Sequence, residues 1–157
     1  MLRNERLSAL FIAGTLLLVF LFRKNKNPMI EGFKIYGLLK LYGLPDDIAR
    51  LATMQAAHET AGFQSAIYHE NNNAFGYKFV GQKLATGENR GHATYKTVSD
   101  SVKEFVGWWN RRRLEDPFPM QFNIGSFANY LKKHRYYEDS PVNYSRGMEH
   151  WQRQIFG

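Results

Sequence analysis

Hydrophobic residues are distributed along this chain in three different patterns. The first is an unbroken run, Leu7 to Phe22, sixteen residues without a charge. The second begins at Pro28, where apolar positions recur with helical spacing. Ile30, Phe33, Ile35, Leu38, Leu39 and Leu41 lead to Gly43, and Pro28 suits the first position of a helix. Pro45-Asp46-Asp47 opens a second helix, with acids where the dipole favours them, running to about Thr60 with Gly62 just past its end. Ser101-x-x-Glu104 has the form of a capping box, followed by Val102, Phe105, Val106 and Trp109 as a helical face. After the break at Asp116-Pro117-Phe118-Pro119, two more helices are predicted, near 127–133 and 142–155, the last with Tyr144, Met148, Trp151 and Ile155 in line. The third pattern lies between 76 and 98, where Gly76, Gly81, Gly87 and Gly91 separate short runs and predict a β-hairpin or a pair of loops. The fold class is therefore mostly α with a small β-hairpin lobe, over residues 28–157, preceded by residues 1–27 as a separate segment.

That segment is expected to be a membrane anchor. As a helix, its apolar run spans about 24 Å, short of the ~30 Å hydrocarbon core, and Arg6 and Arg23 stand at its ends to reach the interface. A cleaved secretory signal would show a small-residue cleavage site, but Arg23-Lys24-Asn25-Lys26-Asn27 follows instead. A core helix would show a polar face, and this run has none. The transmembrane reading is preferred over both. The excess of basic residues at 23–26 favours a cytoplasmic C-terminal side by only one or two charges.

Composition narrows the chemistry. The chain has 157 residues with 44% hydrophobic and 22% charged, which fits one ordinary globular domain. Cysteine is absent, which excludes disulfides, thiolate zinc sites and a cysteine nucleophile. Lys+Arg 21 against Asp+Glu 14 gives +7, a bias toward anionic partners such as nucleic acid, phospholipid or an acidic wall polymer. Twelve Phe, nine Tyr and three Trp suit either a core or flat ligands such as sugars.

One carboxylate stands out. In the second helix Ile48, Leu51, Ala52 and Gln55 share a face, and at 100° per residue Glu59 returns to about 20° from Ile48. Glutamate on an apolar stripe is rare unless it is paired or has a task. Burial and the negative end of the helix dipole both raise its pKa, and a glutamate kept protonated near neutrality is the general acid that glycosidic cleavage needs. The competing reading is a helix that ends early and leaves Glu59 in water. His58-Glu59 does not make a zinc motif, because the second histidine would fall at 62, which is glycine. His58, on another side of the helix, is expected at a flank or surface.

The residues around Glu59 resemble a known family. Met54-Gln55-Ala56-Ala57-His58-Glu59-Thr60-Ala61-Gly62-Phe63-Gln64-Ser65, followed by Asn72-Asn73-Ala74-Phe75-Gly76-Tyr77-Lys78, is similar to the glucosaminidases of glycoside hydrolase family 73. Their pattern is Gln-Ala-x-x-Glu-Ser, a serine six residues after the glutamate, and Asn-Asn-x-Phe-Gly-x-Lys beginning at plus thirteen. Ser65 and Asn72 fall at those offsets, and Thr60 replaces the first serine. Tyr95 to Val102 and Tyr136 to Tyr144 resemble two later segments of the family. The resemblance covers roughly residues 45 to 152. It implies a lysozyme-like fold and an endo-β-N-acetylglucosaminidase that cuts peptidoglycan glycan strands, with no cofactor and no metal.

On that resemblance Glu59 protonates the leaving oxygen. Glu88, the one acid between Gly76 and Val98, is the candidate second carboxylate, set against its alternative as a solvated turn residue. If Glu88 is passive, the substrate's own 2-acetamido group acts as nucleophile, and Tyr137 or Tyr136 orients it. Asn72 and Asn73 are expected to fix the loop beneath the cleft, Phe75 to form its floor, and Tyr95 and Trp108 to stack on sugar rings. Trp109 is expected in the core.

Arg111-Arg112-Arg113 and Lys132-Lys133-His134-Arg135 are either solvated surface or attractors for anionic wall polymers and headgroups. Nucleic-acid binding would need them on one face with interleaved aromatics, and no such module is present. A muramidase or lytic transglycosylase on the same fold stays open, as does an inactive lysozyme-like subunit of a phage particle or envelope apparatus. A single-pass anchored hydrolase facing peptidoglycan fits a bacterial envelope or a bacteriophage particle.

Overall fold

A computed structural model describes residues 27–118 and 123–157. The expected anchor, 1–27, lies outside them apart from Asn27. Among the described residues no helix is long and apolar enough to cross a membrane. The described residues form six helices and one hairpin: α1 (Pro28–Leu41), α2 (Asp46–Glu59), α3 (Ala66–Asn71), β1 (Gly87–Asn89), β2 (His92–Thr94), α4 (Val98–Glu115), α5 (Ile124–Lys133) and α6 (Pro141–Ile155). The mostly helical architecture with a small β lobe agrees with the sequence pattern. The short helix α3 had no signal there, because six residues give too few repeats of a helical period.

The centre of the fold is α2. The sequence predicted one apolar stripe, but nine of ten consecutive side chains, Ile48, Ala49 and then Leu51 to Ala57, are buried. Its many alanines let neighbours approach on all sides, and α1 and α6 pack against it. α4 closes against α1, and α5 against α6. Trp109 is buried there, as expected, facing Phe118, Phe127 and Tyr130.

Chain ends of the helices follow local chemistry. Asn27 caps α1 through Met29 N–H at 2.9 Å, with Pro28 in the first turn. The capping box of α4 is not Ser101-x-x-Glu104 but Thr97 with Asp100, whose side chains and backbone bond reciprocally at 3.1 and 3.2 Å. Ser101 and Glu104 fall one turn later and serve the loops instead: Ser101 accepts from Ala74 N–H (3.1 Å) and Glu104 from Leu84 N–H (3.1 Å). A pattern of residue types cannot distinguish a cap from two buried acceptors in the next turn.

After α2 the chain reverses tightly. Thr60 donates to Ala56 C=O (2.6 Å) and accepts from Phe63 N–H (3.1 Å), so its hydroxyl pins the turn from both sides. Gly62 is left-handed at φ +68°, and a Cβ there would come within 2.2 Å of Trp151 on α6. Ser65 then caps α3 by accepting from Tyr68 N–H at 3.2 Å.

The hairpin pairs Gly87 with Thr94, Glu88 with Ala93 and Asn89 with His92. Three residues per strand cannot hold a lobe alone. The support comes from three consecutive asparagines at the end of α3. Asn71 donates to Asn89 C=O (2.9 Å), and Asn72 to Tyr95 C=O (3.0 Å) and Lys96 C=O (3.2 Å). Asn73, with no exposed surface, donates to Tyr77 and Ala93 carbonyls (2.9 and 3.0 Å) and accepts from Phe75 and Tyr77 N–H (3.3 and 3.1 Å). Side-chain amides thus replace the missing strands.

Candidate active site

Glu59 ends α2 at the wall of a cleft of about 810 Å³. Its two carboxylate oxygens have different surroundings. Oε1 accepts from the Tyr144 hydroxyl at 2.5 Å, across 85 residues of sequence. Oε2 faces Gly76, where a Cβ would stand 3.2 Å away. Among the described residues no hydrogen bond reaches Oε2. Gly76 is also left-handed, at φ +63°, so the glycine is required twice, by its backbone and by the carboxylate beside it.

Burial drives the Glu59 pKa above the usual carboxylate range, and the Tyr144 bond opposes this by favouring the charged form. The net direction is upward. Burial, and then the Glu59 carboxylate, push Tyr144 far above the ordinary phenol range, so it remains a hydroxyl donor. His58 is half-buried, at the flank of the helix rather than on its surface. Its ring meets Tyr144 edge-on at 4.7 Å and fills the space left by Gly147, where a Cβ would lie 2.2 Å away. Burial lowers its pKa, with Asp139 opposing.

The aromatic side of the cleft is built in layers. Tyr137 stacks on Tyr144 at 3.7 Å with planes 8° apart, and its hydroxyl donates to Ala128 C=O at 2.8 Å. Its contribution to the site therefore runs through the ring. Burial, then Asp139, raise its pKa to about 12. Tyr136 donates to Phe75 C=O at 2.9 Å, tying α5's exit to the floor. Phe75 is that floor, stacked on Phe105 at 4.1 Å. Trp108 lines the cleft, with its ring 5.2 Å from Tyr136.

Several residues singled out by the sequence do not line the cleft. Tyr95 is only 3% exposed and does not line the cleft, because its N–H bonds Asn71 C=O (2.8 Å) and draws the ring under the lobe. It is packed inside the protein rather than open to a sugar ring as expected. Asn72 and Asn73 do not line it either; every bond they make goes to backbone, the loop-fixing role read from the sequence. Glu88 is exposed on β1, its carboxylate accepting from Gly91 N–H at 3.1 Å, away from the cleft. The acid that does line the cleft from α4 is Glu104, which sequence reasoning had spent on a cap. Tyr144 was legible as part of an apolar stripe and as the end of the Tyr136–Tyr144 segment that resembles the family, and nothing local indicated that its hydroxyl would meet Glu59.

Arg111, Arg112 and Arg135, with Lys78 and His134, also border the cleft. Arg112 is paired with Glu115 at 2.8 Å, and His134 lies 3.0 Å from Asp116. The two basic runs of the sequence thus come together on one rim.

Comparison with family models gives a match over residues 37–155, well over half of the chain, to the glucosaminidase family, described as mannosyl-glycoprotein endo-beta-N-acetylglucosaminidase. The chain belongs to that family. It is a glycoside hydrolase, an endo-β-N-acetylglucosaminidase acting on peptidoglycan. Comparisons with curated proteins and with solved structures gave no match. The matched span of this glucosaminidase covers α2 with Glu59, the asparagine-tied lobe and α6 with Tyr144.

Proposed function

We propose that Glu59 is the general acid of this glucosaminidase and that the substrate's 2-acetamido group supplies the second catalytic function. The observation that carries the reading is the asymmetry of the Glu59 carboxylate: Oε1 held by Tyr144, Oε2 at the cleft beside Gly76, in a setting that favours the protonated form. Protonated Glu59 gives its proton to the glycosidic oxygen as the C1–O bond breaks. The acetamido carbonyl oxygen bonds to C1 from the opposite face, giving a cyclic oxazolinium. Water then attacks C1, the acetamido group reopens, and the water proton returns to Glu59. The exposed position of Glu88, already bonded within its turn, and the tie of Glu104 to the Leu84 N–H favour this route over a two-carboxylate one. Trp108 and the ring of Tyr137 offer apolar faces for sugar rings, and Arg111, Arg135 and Lys78 offer positive charge to the anionic peptide stems of the polymer.

We further propose that residues 1–27 anchor the enzyme in a membrane, with the catalytic domain facing peptidoglycan. The sixteen-residue uncharged run between Arg6 and Arg23 supports this. Digestion of purified peptidoglycan, with mass spectrometry of the new ends, tests the bond choice. N-acetylglucosamine at the reducing ends is the expected outcome; N-acetylmuramic acid ends would make the enzyme a muramidase, and anhydro ends a transglycosylase.

A further inference from the structure

A helix with apolar residues on two sides needs cover on both. In α1, Ile35 and Leu39 have no exposed surface and belong to the core, yet Met29, Ile30, Phe33 and Leu41 are 45%, 52%, 50% and 74% exposed. At 100° per residue these four lie within an arc of about 120°, with Gly37 inside it, Lys40 near one margin and Lys34 just past the other. Elsewhere among the described residues, Leu114 and Val142 are single exposed apolar residues on their helices, and Phe79 and Val80 sit in a loop. The clustering is specific to α1, and a contiguous apolar patch of this kind marks an interaction surface.

The preceding sequence indicates what covers it. Phe22, the end of the uncharged run, is six residues before Pro28, so about 20 Å of extended chain at most separates them. Arg23, Lys24 and Lys26 fill that interval, and Lys34 and Lys40 continue the positive charge along α1. Lys34 bonds Glu31 at 2.7 Å but keeps 63% of its side chain exposed, and Lys40 stands 3.6 Å from Asp46 with 40% exposed. Apolar residues flanked by lysines on one helical face have the form of a helix lying in a membrane interface, its apolar side in the headgroup–acyl boundary and its lysines at the phosphates.

We infer that the outer face of α1 lies on an anionic lipid surface. The inference rests on the anchor reading for the nearness of a bilayer and goes beyond it by adding a second contact. A single tether leaves the direction of the cleft unset; a tether and a docked helix fix it.

The absence of cysteine makes the test direct. Ile30→Cys, Leu41→Cys and, as a control on α4, Arg113→Cys are introduced singly into the full chain. Each is labelled with an environment-sensitive fluorophore and reconstituted into phosphatidylglycerol vesicles. Flotation of the full chain with the vesicles is expected. Probes at 30 and 41 are expected to shift blue and to be quenched at least about two-fold by a lipid-borne quencher, with no change at 113. On phosphatidylcholine vesicles the quenching at 30 and 41 is expected to weaken while flotation persists, and undiminished quenching there would overturn the role of lipid charge. Flotation with wet probes at 30 and 41 would overturn this inference and leave the anchor standing. A blue shift without lipid quenching would mean cover by residues 7–22 or by a second copy, and would equally overturn it. Failure to float would remove both readings.

Discussion

Each of the two lobes of this molecule holds a glutamate that the sequence singled out, Glu59 and Glu88, and the two are treated in opposite ways. On the helical side, Glu59 ends a helix buried all round from Leu51 to Ala57, receives a hydroxyl from a helix 85 residues further on, and stands beside a glycine. On the hairpin side, Glu88 stays in water and satisfies itself with the third backbone N–H along its own turn. Both are single acids amid polar and apolar neighbours in sequence. The difference arises from what surrounds each chain segment: packed helices desolvate a carboxylate, whereas a two-stranded ribbon tied down by amide side chains cannot. Desolvation in this fold belongs to the lobe with a core, and the other lobe supplies shape.

Four substitutions bear on that contrast, and the largest effect is expected at its centre. Glu59→Gln removes the proton donor at nearly constant shape, so lytic activity should fall at least ~10²-fold in a zymogram while circular dichroism is unchanged. The same variant should be more resistant to denaturant than the parent at neutral pH. The Glu59 pKa is raised in the folded state, so the stability it contributes is present below its unfolded pKa and is lost as pH rises through the folded value. The parent's denaturation midpoint should accordingly decline over that rise, and the variant's should not. Retention of more than half the activity would remove Glu59 from the mechanism.

Asn73→Ala attacks the other lobe. It strips two carbonyls and two N–H groups of a fully buried partner, and a loss of at least ~2 kcal/mol in chemical denaturation is expected. If stability hardly changes, the hairpin is held by something other than the asparagines. Tyr144→Phe is a finer probe, keeping the ring stack on Tyr137 while removing the bond to Oε1. That bond favours the charged carboxylate, so without it the Glu59 pKa should rise further. The alkaline limb of the pH–rate profile, where the acid loses its proton, should move up by about one pH unit. No movement would mean that Tyr144 only fills space. The smallest effect is expected from Glu88→Gln, a change of less than ~3-fold in activity, because its carboxylate serves one turn. A Glu88 variant as inactive as Glu59→Gln would erase the contrast and restore a two-carboxylate mechanism.

The sequence carried the acid further than its surroundings. Glu59 stood out by local arithmetic alone, as a charge returning to an apolar helical face, and its spacing to Ser65 and Asn72 matched a family pattern. Helices α1, α2 and α6 were legible because proline, acidic first turns and regular apolar repeats are all local signals. What stayed hidden depended on distant segments meeting. Tyr144 looked like one more core aromatic, Glu104 like half of a cap, and Tyr95 like an available ring, because hydroxyl and ring environments are decided by tertiary contact. The all-round burial of α2 was hidden for a related reason: alanines lack the contrast that shows a second buried face.

The asparagine ties also set where the chain can change length. From Thr60 through Asn73 every few residues are clamped to something fixed, the α2 terminus at one end and the hairpin carbonyls at the other, so one residue more or less would pull Gly76 off the Glu59 carboxylate. Between Phe79 and Lys83 the chain is mostly exposed and spans only the mouth of the lobe. Insertions there would lengthen the rim without moving the acid. The molecule therefore has one stretch that works as a ruler and another that works as slack, and new substrate contacts have room to accumulate only in the second.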